Sequence, residues 1–322
     1  MKTITTFFLI CSVTLMSAQN KQDYYWPFGF DETFINGFEF DFNERPFSPS
    51  ERIGELGFDQ MNASICDPEG NLLMYTNGCA VANRNHQMMP NGDSINAGIF
   101  FDDFWGGNCR RGYPTSQDIT VLPDPNNSFG YYIIHLPVSF NPDSTSRFTK
   151  DSIQYTYVDI TLDDNLGDVT EKNITFYKGN LVANYLSPII YNNQKDYWII
   201  NPIFPSGFLI YLLNETGLHN QGIHSGPIWN PTKASASGFA RFSPDGNKYA
   251  YFNQYDGLYL YDFDREDATF SNEQHIPGAN PLTGIFATCE WSPSSRFLYM
   301  SRADSLWQLD TWAESIESGR QS

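Results

Sequence analysis

The sequence predicts an all-β chain folded as a β-propeller of antiparallel blades, and three observations carry that expectation. Short runs rich in Tyr, Phe, Ile and Val recur along the chain, each bounded by Gly, Pro, Asn or Asp, while sustained helical periodicity is almost absent. The runs come in groups of strand, turn, strand, turn, strand. The groups recur at roughly 40–55 residues, the spacing of propeller blades. One small antiparallel sheet cannot bury both of its faces. Sheets stacked face to face about an axis bury them on their neighbours and leave only short edges. A pair of β-sandwiches is the rival arrangement, and the repeat period speaks against it.

The elements follow in order. Lys2, an apolar run at 7–16 (FFLICSVTLM) and the small pair Ser17-Ala18 before Gln19 form the charge, core and cleavage-site order of a secretory signal peptide. Residues 1–18 are therefore expected to be removed, leaving 19–322 as the propeller domain of a secreted protein of the extracellular space, cell surface or periplasm. The bulky Ile10 before Cys11 argues against lipidation there. The run is too short to span a membrane, and no later stretch has 18 consecutive apolar residues. WPFGF at 26–30 and FEFDF at 38–42 read as a hairpin ahead of the first full group. Full groups then open at 63, 117, 187, 238 and 287, which gives about five repeats plus the hairpin. Each group should place its first strand innermost: Ala63–Cys66, 118–122, 188–191, 240–242 and 289–291. Glu69-Gly70 and Asp245-Gly246 supply residues that tolerate positive φ in tight hairpins. The single stretch that reads as helix is the tail at 311–317.

Composition narrows the partners. The net charge of −18 repels nucleic acid and anionic lipid. Aromatic residues make up 16% of the chain against 17% charged, unlike a disordered acidic segment. Beyond the leader stand Cys66, Cys79, Cys109 and Cys289, with no CxxC pair and no zinc spacing. Cys79 with Cys109 is one candidate bridge; buried free thiols at Cys66 and Cys289 are the other reading.

At this point a family resemblance can be stated. WPFG (26–29) with FEFDF (38–42), ASICDPEGNLLMYTNG (63–78), NRNHQMMPNG (83–92) and KDYWII (195–200) resemble the N-terminal propeller region of large exported proteins of Bacteroidota. FARFSPDGNKYAYF (239–252) and EWSPSSRFLYMS (290–301) are similar to WD-like and TolB-like propeller repeats. The resemblance covers nearly the whole mature chain. It implies an extracellular propeller, in that family often followed by a sorting or gliding-motility-associated domain. Here the sequence stops at GRQS with no such domain, so the ring is expected to be incomplete, with one exposed sheet edge and downstream domains of a longer polypeptide as potential partners.

Candidate site residues are few. Asn83, Asn85 and His86 could bind a sugar or a cation, although Asn and Gly equally serve tight loops, the favoured role here. The acidic turns at Asp124, Asn126 and Asn127, and at Asp262, Asp264, Glu266 and Asp267, offer oxygens for calcium. They lack the glycine and terminal glutamate of an EF-hand loop and read as solvated turns. Asp118 and Glu290 fall on candidate innermost strands and could face a channel. Trp105, Tyr113 and Trp229 lie in Gly/Pro loops, where exposed rings could stack on carbohydrate and packing explains them equally. No GxSxG elbow, P-loop or HExxH motif is present, and no carboxylate pair is singled out for glycoside hydrolysis. The expectation is thus a non-catalytic binding or scaffold propeller for protein or polysaccharide, without cofactor or metal and not an enzyme. Its rivals are a glycan-processing propeller enzyme and a fragment of a longer adhesin.

Overall fold

A computed structural model describes residues 21–31, 33, 35–98, 100–140, 148–229, 238–253, 255–277, 287–302, 305–313 and 320–321. The expected signal peptide lies outside them. The described residues form six antiparallel sheets, each built from strands consecutive in the chain. Sheet 1 contains β1 (Tyr25–Phe28), β2 (Gly37–Asp41) and β3 (Ser50–Arg52). Sheet 2 contains β4 (Ala63–Cys66), β5 (Leu72–Thr76) and β6 (Val81–Asn83). Sheet 3 contains β7 (Ile119–Asp124), β8 (Asn127–His135), β10 (Phe148–Asp159) and β11 (Asp168–Leu181), with the short β9 (Ser139–Phe140) also paired to β10. Sheet 4 runs β12 (Ser187–Ile190), β13 (Tyr197–Pro202), β14 (Ser206–Asn214) and β15 (Gly217–Ile228). Sheet 5 runs β16 (Gly238–Phe242), β17 (Lys248–Asn253), β18 (Gly257–Asp264) and β19 (Thr269–Pro277). Sheet 6 runs β20 (Ala287–Trp291), β21 (Phe297–Arg302), β22 (Ser305–Asp310) and β23 (Arg320–Gln321).

This is a β-propeller. The first strands of different sheets approach one another: β1 meets β4, β4 meets β7, β12 meets β16 and β16 meets β20. The third and fourth sheets are joined at the same level by Leu186 N–H donating to Gln117 O at 2.9 Å. All five segments expected to be innermost therefore open their sheets at the axis. From sheet 3 to sheet 6 the packing between successive sheets is apolar. Leu122, Ile134 and Ile153 meet Ile199, Leu209 and Leu213 between sheets 3 and 4. Trp198 and Phe208 meet Tyr249 and Tyr251 between sheets 4 and 5, and Ala250 and Leu260 meet Cys289, Trp291 and Met300 between sheets 5 and 6. The alternation of β20 shows how sequence drives this: Ala287, Cys289 and Trp291 are buried, whereas Thr288 and Glu290 are exposed.

The turns repeat as their residues do. Ser243 Oγ accepts Lys248 N–H at 2.9 Å, and Ser292 Oγ accepts Phe297 N–H at 3.0 Å. Asp67 fills the same role in sheet 2, accepting Asn71 N–H at 2.8 Å. Gly246 (φ +72°) occupies the left-handed position that its turn requires, and Ser295 (φ 59°) must adopt it without glycine's freedom.

The N-terminal hairpin does not join the last blade. β3 pairs with β2 to make a separate sheet, and the fourth strand of sheet 6 is β23. Residues 311–313 form a turn after β22; the rest of the expected tail helix, 314–317, lies outside the described residues.

Candidate functional site

The innermost strands enclose a cavity of about 540 Å³ at the axis. Its polar lining comes from residues at or just before the first strand of successive sheets: Gln60 and Asn62, Ser116 and Gln117, Ser187, and Arg241. Its apolar lining is Ile119, Leu186, Ile189, Phe239 and Phe242.

Gln117 organises this wall. Its Nε2 donates to Ala240 O at 2.7 Å and to Leu186 O at 3.1 Å, while its Oε1 accepts Ala240 N–H at 2.9 Å. One buried amide thus ties sheets 3, 4 and 5 together, meeting backbone groups that would otherwise be unpaired beside the cavity. Ser116 sits beside it, its Oγ 3.4 Å from Gln60 Oε1 and its N–H donating to Asn184 Oδ1 at 3.0 Å.

Arg241, which lines the cavity, is paired with Glu290. Nε of Arg241 lies 3.1 Å from Glu290 Oε2, and the guanidinium lies 5.0 Å from the centre of the Phe239 ring. The pair is substantially exposed, so it contributes little to stability and leaves hydrogen-bonding capacity facing solvent. Both side chains line a second cleft of about 570 Å³ that runs beneath Trp26, Phe28 and Phe40 of sheet 1. Asn62 is shared by the two cavities.

Glu290 lines the second cleft and meets the axial cavity's lining through its ion pair with Arg241. Asp118 does not line the cavity, contrary to the expectation that it faces the channel. It is fully buried, its Oδ2 is 3.0 Å from Lys150 Nζ, and its Oδ1 accepts Asn184 N–H at 2.6 Å. Lys150 also donates to Leu136 O at 2.9 Å, and burial lowers its pKa from the ordinary lysine value. Asp118 supports the wall from behind, through Asn184 to Ser116.

Asn83, Asn85 and His86 lie away from the axis, at the end of β6. Asn83 is buried, and its Oδ1 accepts Asn85 N–H at 2.9 Å and Gln87 N–H at 3.2 Å, which closes the turn. Asn85 is exposed. His86 takes φ 63°, stacks 6.3 Å from Tyr25 and lies 3.9 Å from Glu39; burial lowers its pKa.

The aromatic candidates are not exposed platforms. Tyr113 is buried and donates to Asn96 O at 2.9 Å. Trp229 is buried against Tyr251, with Nε1 donating to Gly207 O at 3.1 Å. Trp105 packs on the first core cluster beneath the Arg111 guanidinium. In the acidic turns, Asp124 Oδ1 accepts Asn126 N–H, Asp264 Oδ1 accepts Glu266 N–H, and Asp267 Oδ1 accepts Thr269 N–H. Among the described residues no group of three or more His, Cys, Asp or Glu side chains is placed to hold a metal ion. Cys79 and Cys109 form a disulfide, and Cys66 and Cys289 are buried free thiols.

Gln60, Asn62, Gln117 and Arg241 carried no sequence motif. Their shared signal is position: a polar residue at or just before a predicted innermost strand.

No family model matches this chain, and no curated protein matches it. Solved structures do. A functionally unknown protein from Desulfotomaculum acetoxidans aligns over 89% of this chain and 81% of its own, at 12% identity and a TM-score of 0.49. The BP39L lectin from Burkholderia pseudomallei aligns over 90% and 82%, at 9% identity and 0.49. A gluconolactonase from Xanthomonas campestris aligns over 90% and 87%, at 11% identity and 0.42. The presence of gluconolactonases among these structures overturns the expectation that the chain is not an enzyme, and that expectation is dropped. At this level of likeness none of them assigns a ligand or a reaction to this chain.

Proposed function

We propose that this chain is an exported propeller that binds a carbohydrate at the axial cavity, with the hydroxyl groups of the sugar meeting Asn62, Ser116, Arg241 and Glu290. The observation that carries the reading is the cavity's mixed lining. Neutral amides and hydroxyls ring it, Arg241 lines it while paired to Glu290, and Phe239 and Phe242 present apolar faces. A pyranose ring needs that combination: donors and acceptors for its hydroxyls, and a flat apolar wall for its C–H face. The signal-peptide pattern at residues 1–18 and the resemblance to exported Bacteroidota propellers support a location outside the cytoplasm, where polysaccharide is met.

A glycan array followed by calorimetry tests this reading. Asn62→Ala and Arg241→Ala should each weaken binding of an array hit about tenfold, near 1.4 kcal/mol, without altering the fold. Unchanged affinity in both variants would place the ligand elsewhere. Turnover of the hit, followed by chromatography of the sugar, separates binding from processing at the same cavity.

A further inference from the structure

The second cleft adjoins the axial cavity but is lined differently. Trp26, Phe28 and Phe40 of sheet 1 face Arg241 of sheet 5 and Glu290 of sheet 6 across it. In the β1–β2 register Trp26 opposes Phe40 and Phe28 opposes Phe38, so these rings share one face of sheet 1. The Phe28 and Phe40 rings lie nearly parallel, 5.2 Å apart with 22° between their planes, and Trp26 is 53% exposed. The opposite face holds the sheet in place: Tyr25 is buried there and its carbonyl accepts Ser64 Oγ at 2.6 Å. Elsewhere apolar clusters join successive sheets. Among the described residues none joins sheet 6 to sheet 1, and the cleft lies where those two sheets face each other.

Shared walls, size and charge decide what fits. Asn62 and Arg241 line both spaces. Arg241 spends Nε on Glu290 and Nη1 on Ala240 O at 3.2 Å, and its Nη2 makes no hydrogen bond among the described residues. The two volumes, about 540 and about 570 Å³, are each those of a small-ligand site, so an occupant of both is a chain of linked units rather than one ring. A purely apolar chain would strip water from Asn62, Arg241 and Glu290 without replacing their hydrogen bonds. An anionic chain is disfavoured as well: Arg241 is already paired, Glu51 stands exposed opposite Phe38 on the same face, and the net charge is −18. Flat rings beside hydroxyl partners suit a neutral sugar unit.

We propose that this cleft is a second subsite, holding the continuation of a neutral linear oligosaccharide whose neighbouring unit occupies the axial cavity, with one sugar ring stacked on Trp26; the inference rests on the axial reading above. Calorimetry with neutral glucan, mannan and galactan oligosaccharides, from disaccharide to hexasaccharide, tests it. In the series that binds, affinity should rise about tenfold or more with length, because the second contact is intramolecular. Trp26→Ala should erase that rise, and Trp26→Phe, which keeps a flat ring, should retain most of it. Ser116→Ala, in the axial cavity alone, should weaken every length alike. The hexasaccharide should change tryptophan emission in the wild type, and less so in Trp26→Phe. Matching circular dichroism melts identify the variants that fold. Affinity that does not grow with length, or growth that survives in folded Trp26→Ala, would overturn the inference and leave the axial reading standing. So would an emission change identical in the wild type and Trp26→Phe. Growth lost with Trp26→Ala but indifferent to Ser116→Ala would uphold the cleft and refute the axial cavity. Tighter binding of a uronate chain of equal length would overturn the neutral assignment, and no binding in any series would overturn both readings.

Discussion

Lowering the pH should destabilise this protein through His135, and the size of the effect can be worked from its surroundings. The imidazole is fully buried. Its Nδ1 lies 2.5 Å from Asn96 Oδ1 and its Nε2 lies 3.0 Å from Thr156 Oγ1. Asn96 spends its Nδ2 on Gly78 O, so its oxygen accepts and Nδ1 carries the hydrogen. Nε2 then accepts from the Thr156 hydroxyl. The neutral ring is fully satisfied; a second ring proton would have no ready acceptor. Burial, with the Lys150 charge nearby, pushes the pKa from 6.5 down to about 3. Below pH 6.5 the unfolded chain takes up a proton that the folded ring refuses, so stability falls as pH falls toward about 3. The slope is about 1.4 kcal/mol per pH unit, or roughly 2–3 kcal/mol lost near pH 4.5. That is a large part of a typical folding free energy of about 5–15 kcal/mol. Urea unfolding of the wild type and His135→Gln, near pH 7 and near pH 4.5, is the assay. The variant should be less stable near pH 7 by about 1–3 kcal/mol, from its poorer hydrogen bonding. Its further loss on acidification should be smaller than that of the wild type by roughly 2–3 kcal/mol, because contributions from the carboxylates cancel in the comparison. Equal losses in the two proteins would refute the reasoning.

Other outcomes follow from the same structure. Asp118→Asn, which strands the buried Lys150 charge, should cost about 3–5 kcal/mol in urea unfolding while leaving the ligand affinity of the folded protein unchanged. Cys79→Ser with Cys109→Ser opens a bridge across a separation of 30 residues and should cost about 3–4 kcal/mol on the chain-entropy account, read as a lower Tm. Burial pushes the Cys66 and Cys289 thiols up to about 12, so neither should react with a thiol reagent at pH 8 until urea unfolds the chain. Mass spectrometry of protein exported from a native-like host should find Gln19 at or near the N-terminus; an intact Met1 would refute the signal-peptide reading.

The fold was legible because its causes are local and repeated. SPDG and SPSS place a serine, and DPEG an aspartate, where each closes the same turn, and alternation such as that of ATCEW tells which face is buried. The site was legible only in part. That Glu290 stands on the exposed face of its strand could be read from the buried neighbours on either side of it. Asp118 could not, because its orientation depends on Lys150, which is distant in sequence and buried beside it. The roles of Gln117 and Arg241 depend on three or more sheets converging, which no single segment encodes. Trp229 and Tyr113 looked like loop aromatics because flanking Gly and Pro signal a turn but not what packs over it.

The axial ligand site is tested most directly by hydrogen–deuterium exchange on the protein saturated with an oligosaccharide identified on the array. Protection is predicted at 60–66, 116–122, 186–190 and 238–243, the segments that line the cavity, with no change at 83–88. Protection confined to 83–88, or to strands far from the axis, would contradict the site.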